Sequence, residues 1–252
     1  IFTKRMSLED KRFYSHVFRL VMPMAVQNLI NVGVTSTDVI MLGKVGETAL
    51  SGVSLANQIY FILSLLYFGL TSGACVLTAQ YWGKKDTRTI EKVMGMSFRI
   101  SILAGIVFAA AAFFFPYQLM RIFTADEAVI AAGVSYLKIV AFSYVLSAFT
   151  NVYLNIIRSI EQVVIATVVY GTSLAANIVL NAIFIFGLFG APAMGAAGAA
   201  LGTLCSRAVE VVIVVFYAVK INHVVKIRFK DWFVKDKALS KDFFTYALPV
   251  LL

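Results

Sequence analysis

The sequence predicts an all-α membrane protein built on six spanning helices, and three observations predict it. Of its 252 residues, 60% are hydrophobic and only 14% charged, with a mean hydropathy of +0.86. Soluble domains hold about 45 to 50% apolar and about 25% charged residues, so the composition excludes a soluble enzyme or a disordered chain as a whole-chain reading. Six segments, near 20–42, 53–82, 93–115, 128–157, 163–190 and 196–219, are apolar over the roughly 17 to 25 residues that crossing a bilayer requires. Basic residues gather in alternate breaks between them. Only helices fit these lengths, because a backbone in lipid must satisfy its own hydrogen bonds.

The first segment opens at Pro23 in its first turn and a half, has Gly33 at mid-span, and carries Gln27, Asn28 and Asn31. These make a polar, bendable helix suited to lining a cavity or moving. Breaks at Gly43 to Gly52, Gly83 to Lys92 and Pro116 to Glu127 separate the next spans. The fifth holds Asn177 and Asn181, and the sixth opens on the small-residue run Gly195 to Thr203. Cys75 and Cys205 lie inside apolar stretches and offer neither a disulfide framework nor metal-ligand spacing. Met94 and Met96 read as packing residues, and Arg99 and Lys138 as snorkelling ones.

The net charge of +9 follows from orientation. Five Lys and Arg lie in residues 1–19, four in 83–92, one at Arg158 and seven in 220–242, whereas the opposite breaks hold only Lys44 and Arg121. By the positive-inside bias, both the amino terminus and residue 242 face the cytoplasm. The basic run Lys220 to Lys241 then reads as a solvated connector and not as a nucleic-acid patch. The first apolar segment is full length and lacks a small-residue cleavage site, so no cleavable signal peptide is expected.

A repeat emerges near the end. Phe13-Tyr14 leads to Pro23, and Phe243-Phe244 leads through Tyr246 to Pro249, each after a basic stretch and into an apolar run. The expected organisation is a six-helix unit over 1–242 and the start of a second unit over 243–252, a fragment of a chain about twice as long. An even number of spans per copy predicts parallel repeats about an axis along the membrane normal.

Acidic residues at mid-helix cost about 2.5 to 3.5 kcal/mol on insertion scales, and only Asp38 and Glu210 lie inside spans. Asp38 comes 18 residues after Leu20, about 27 Å along the helix and so in the outer half. Asn177 and Asn181 lie 14 and 18 residues past Val163, on one face by their i,i+4 spacing. Thr203, seven residues into the sixth span, sits in the same half. One carboxylate with several neutral oxygens at one level suits exchange of a proton or Na⁺, with Asp38, Asn177 and Asn181 as the Na⁺ candidates. The competing reading has the Asn pair only joining helices. Arg207 and Glu210, three residues apart, read as a neutralising structural pair. His16 and His223 lie in basic segments with no carboxylate cluster, so no enzyme chemistry and no cofactor are expected.

Several stretches together carry a family resemblance over the full length. They are LVMPMAVQ at 20–27, DVIML at 38–42 followed by Gly43, Gly46, Ala49 and Leu50, TAQY at 78–81 before Gly83, NIVLNAIFIFG at 177–187, and GAAGAALGT at 195–203. In these the chain resembles the multidrug and toxic compound extrusion (MATE) family. The resemblance implies the amino-terminal lobe of a twelve-helix, two-lobe exporter in the cell (inner) membrane, plus the start of helix seven. It implies antiport of small organic, often cationic, compounds against Na⁺ or H⁺, with the carboxy-terminal lobe and the bilayer as partners. The family's cation-binding positions in this lobe match Asp38, Asn177, Asn181 and Thr203. Some members have Asp where this sequence has Asn181, which leaves the coupling ion open. A lipid-linked oligosaccharide flippase of the same superfamily is the rival, but it calls for a cationic cavity where only Arg207 lies deep in a span. A membrane-embedded enzyme is a more distant alternative.

Overall fold

The polar breaks between the apolar segments are largely absorbed into helices. The computed structural model describes residues 8–233 and 236–251. Its helices are α1 (Leu8–Val45), α2 (Glu47–Gly83), α3 (Thr87–Phe114), α4 (Pro116–Arg121), α5 (Glu127–Ser159), α6 (Val164–Phe186), α7 (Ala196–Phe216) and α8 (Lys237–Leu251). Lys4, Arg5, Lys235 and Leu252 lie outside the described residues, as do the side chains of Lys11, Arg12, Phe13, His16, Arg19, Leu20 and Asn31.

The predicted turn from Gly43 to Gly52 shrinks to Gly46 alone, whose φ of +146° is a backbone that L side chains rarely adopt. The break from Pro116 to Glu127 contains α4, with Pro116 at its start where a missing N–H costs nothing. The fifth span is shorter than expected. It stops at Phe186, because Gly187 takes a left-handed φ of +75° and caps the helix through its N–H to Ile183 O.

Among the described residues, five helices are long and apolar enough to cross a membrane: α2, α3, α5, α6 and Ala196–Ile221. The expected first span, α1, is one continuous helix but is not among the five. Its polar run from Gln27 through Thr35, Ser36, Thr37 and Asp38 lowers its hydropathy, and it lies along α6. Thr167 Oγ1 of α6 donates to Pro23 O at 3.1 Å, and Arg158 Nη2 at the end of α5 donates to Gln27 Oε1 at 2.9 Å.

Helix α5 is the centre, packed on α2, α3 and α7. Its side chains join two apolar clusters. One contains Ile90, Met94, Phe98, Ile157 and Phe243, and the other contains Leu42, Leu63, Met120 and Tyr144. Met94 and Met96 are buried as packing residues. The boundary expected at 242/243 falls within α8, which lies on α2 with Phe243 and Ala247 fully buried.

The basic connector is more tightly held than a solvated loop. Its Lys220, Lys226 and Lys230 are exposed, but Asp231 is buried and receives both Arg88 guanidinium nitrogens at 2.7 Å. Glu91, also buried, accepts from Arg88 Nη1 at 2.8 Å and from Lys226 N at 2.9 Å, with Arg228 Nε 3.3 Å away. Trp232 stacks on Phe98. Two buried carboxylates thus fix the connector onto α3.

Asp86 caps α3, accepting Thr89 N at 3.0 Å and Thr89 Oγ1 at 2.6 Å. These bonds hold its carboxyl below the usual carboxylate range. A depressed carboxylate stabilises the fold above its unfolded value of ~3.9 and loses that contribution as pH falls through the folded value. Asp86→Ala is therefore expected to cost about 0.5 to 2 kcal/mol, the usual range for a lost cap. Thermal melts of the two proteins at neutral pH should differ accordingly and converge in acid.

Candidate functional site

Helices α1, α6 and α7 meet where their polar faces coincide. The i,i+4 spacing on α6 turns Asn177 and Asn181 toward the same side, with Asn177 2% exposed and Asn181 fully buried. Asn181 Nδ2 donates to Asp38 Oδ1 at 2.6 Å and to Asn177 Oδ1 at 3.1 Å. The carboxylate of α1 is therefore joined through one amide to the neighbouring Asn. The small-residue opening of α7 lets it approach, since a Cβ on Gly202 would collide with Asn181 Oδ1. That oxygen has no hydrogen-bond partner among the described residues, and it is the amide nitrogen that faces Asp38.

Asp38 and Asn177 open onto a cavity of about 660 Å³, whose wall also includes Thr203, Tyr136, Arg207 and Glu210. Thr203 stands beside the Tyr136 hydroxyl, which donates to Asn57 Oδ1 at 3.0 Å. Of the four residues expected to converge, three form one hydrogen-bonded group. Thr203 lines the same cavity beside Tyr136.

Two features of this cavity were not anticipated. Tyr136 and Asn57 belong to it, although only the polarity of Asn57 within an apolar run signalled anything in the sequence. Arg207 shares it with Asp38, whereas the sequence had placed Arg207 only with Glu210. Arg207 is one turn beyond Thr203 on α7, and its long side chain reaches the shared wall. Its charge is matched locally: Arg207 Nη1 lies 2.8 Å from Glu210 Oε1 and 3.1 Å from Oε2.

Tyr60 and Tyr170 are also part of the wall. Aromatic rings of this kind attract cations, by about 0.5 to 2 kcal/mol depending on desolvation. Among the described residues no cluster of three or more His, Cys, Asp or Glu is placed to hold a metal ion. A monovalent cation here would rest on a single carboxylate and neutral oxygens.

The family model MatE matches residues 23–183, which include α1 from Pro23 onward, with Asp38, and both Asn residues of α6. The chain belongs to the MatE family. It is 27% identical over 194 residues to the probable multidrug resistance protein NorM of Thermotoga maritima, covering 76% of this chain and 41% of that protein. It is 24% identical over 227 residues to the multidrug resistance protein NorM of Vibrio cholerae, covering 90% and 50%. The MatE chain thus spans about half the length of these curated relatives. A solved structure of a multidrug resistance MATE family transporter in the outward-facing conformation superposes with a TM-score of 0.83 at 24% identity, over 94% of this chain and 51% of that one. That likeness establishes the fold of one lobe. MatE membership makes this a multi-pass membrane protein of a transporter family, and the expectation that it is not an enzyme rests on that membership.

Proposed function

We propose that the chain is the amino-terminal lobe of a secondary active multidrug exporter that moves small organic, often cationic, compounds in exchange for H⁺ or Na⁺. The observation that supports this most is a carboxylate on the wall of an intramembrane cavity. Asp38 is held by Asn181 at one oxygen and faces a space large enough for an organic molecule. A group of this kind can hold the coupling ion or the cationic substrate, but not both at full charge, and that competition is the basis of exchange.

The residues divide the work. Asp38 carries the exchangeable charge, Asn181 orients it, Asn177 accepts the other amide hydrogen, and Thr203 with Tyr136 supplies hydroxyl oxygens on the facing wall. Asn181 presents nitrogen to Asp38, so in this arrangement it is a hydrogen-bond donor and not a cation ligand. A proton on the outer Asp38 oxygen leaves that network intact. Na⁺ would draw on Asp38 and Asn177 and would require Asn181 to turn its oxygen inward. Thr203→Ala should give a partial loss of coupled export, milder than the loss from altering Asn181.

The charge pattern supports a cytoplasmic-membrane location with both ends of the lobe inside the cell, and the missing partner of its cavity face is a second six-helix lobe. The flippase alternative is disfavoured by the cavity's charge, since Glu210 offsets the Arg207 that an anionic head group would need. The test is export of a cationic dye by the full-length protein in liposomes under an imposed pH or Na⁺ gradient. Dye movement with one gradient and not the other identifies the ion. No movement with either contradicts the reading.

A further inference from the structure

Among the described residues, three side chains of charged type face the cavity: Asp38, Arg207 and Glu210. Their arrangement is ordered along α6. Ser173, Asn177 and Asn181 recur at i,i+4,i+8 and make one polar stripe about 12 Å long. Its outer end, at Asn181, holds Asp38 of α1. Its inner end, at Ser173, donates to Glu210 Oε1 of α7 at 2.6 Å. One stripe therefore carries a carboxylate at each end, and among the described residues only the inner one is paired with a cation.

Glu210 is 1% exposed and takes three bonds, from Ser173 and twice from Arg207 Nη1. The Arg207 side chain remains 24% exposed, on the cavity side. In a site walled by lipid-embedded helices, an uncompensated charge acts on any ligand far more strongly than it does in water. With Glu210 in place, the wall sums to −1 when Asp38 is ionised and to zero when Asp38 is protonated or cation-bound. Without Glu210 the same states would be zero and +1.

We propose that Glu210 is the charge-selectivity residue of the cavity: by cancelling Arg207 it lets the charge of Asp38 alone decide whether an organic monocation binds. The Arg207–Glu210 pair is then more than a structural bond between neighbouring turns. It sets the baseline against which Asp38 switches. Arg207 contributes by presenting its guanidinium edge to polar parts of a ligand without repelling the ligand's positive charge. The inference rests on the exporter reading above, in which the cavity receives an organic cation.

Tetraphenylphosphonium and tetraphenylborate test it, because they match in shape and differ only in sign. Saturable binding of each is measured on the purified full-length protein at a pH where the wild type binds the cation. Wild type should prefer tetraphenylphosphonium. Glu210→Gln should weaken that binding at least tenfold and admit tetraphenylborate. The double variant Arg207→Gln/Glu210→Gln restores the wall to −1 and should recover cation binding to within about threefold of wild type, an expected electrostatic rescue. A single variant that binds both ions as wild type does, or a double variant no better than the single, overturns the proposal. If Glu210→Gln does not fold, Arg207→Gln gives the complementary arm: it must retain the cation and exclude the anion, and admission of the anion counts against the proposal. A wild type that binds neither ion removes the exporter reading itself, and this inference with it.

Discussion

Asp38→Asn is expected to abolish ion-driven export by the full-length protein while the protein still folds and inserts. The substitution keeps the shape of the side chain and removes its charge. The Asn181 amide still finds an oxygen at the position of Asp38 Oδ1, so the link between α1 and α6 survives. What disappears is the only charge on the cavity wall that has no charged partner within bonding distance among the described residues. A cavity summing to zero in every state has nothing to exchange, and dye export under either ion gradient should fall to that of protein-free vesicles. Wild-type export by Asp38→Asn at matched expression would leave Asp38 as a half-buried structural carboxylate.

Asn181→Ala is expected to impair both coupling and stability. Asn181 is fully buried and packed against Gly202, so the substitution acts on stability as well as on coupling. Removing the amide strips a donor from Asp38 and from the buried Asn177 oxygen, and an unsatisfied buried polar group costs about 1 to 3 kcal/mol. Coupled export should drop by more than this stability loss explains. The control is to assay export well below the melting temperature of the variant, where the folded fraction matches wild type. Normal coupling there would assign the Asn pair to joining helices alone.

The sequence exposes the helices more readily than their ends. Apolar length and the rule that backbone bonds stay internal in lipid were enough to place five of the six expected spans, because they depend on composition averaged over twenty residues. Boundaries depend on single backbone angles. Gly46 turns the chain in one residue where ten had been read as a break, and Gly187 stops α6 at Phe186 where apolar residues alone would have carried the helix on.

The same division holds for the cavity. Asp38, Asn177 and Asn181 could be seen in the sequence because a polar side chain in lipid is costly wherever it points. Tyr136 could not, since a tyrosine in a span is unremarkable until a partner such as Asn57 is known. The sharing of one wall by Arg207 and Asp38 was equally hidden, because it depends on how α7 is rotated against α1 and α6. The connector shows the limit of charge counting: seven Lys and Arg suggested a solvated stretch, whereas two buried acids, Glu91 and Asp231, determine where it lies.

The central claim is that the coupling ion and the organic cation compete for Asp38. The most direct measurement is ion release upon binding of tetraphenylphosphonium to the purified full-length protein, followed as protons in weakly buffered solution and as radioactive Na⁺ in parallel. The account predicts that wild type releases an ion of one kind, H⁺ or Na⁺, as the organic cation binds, and that Asp38→Asn releases none. Equal ion release by the wild type and by Asp38→Asn would contradict it.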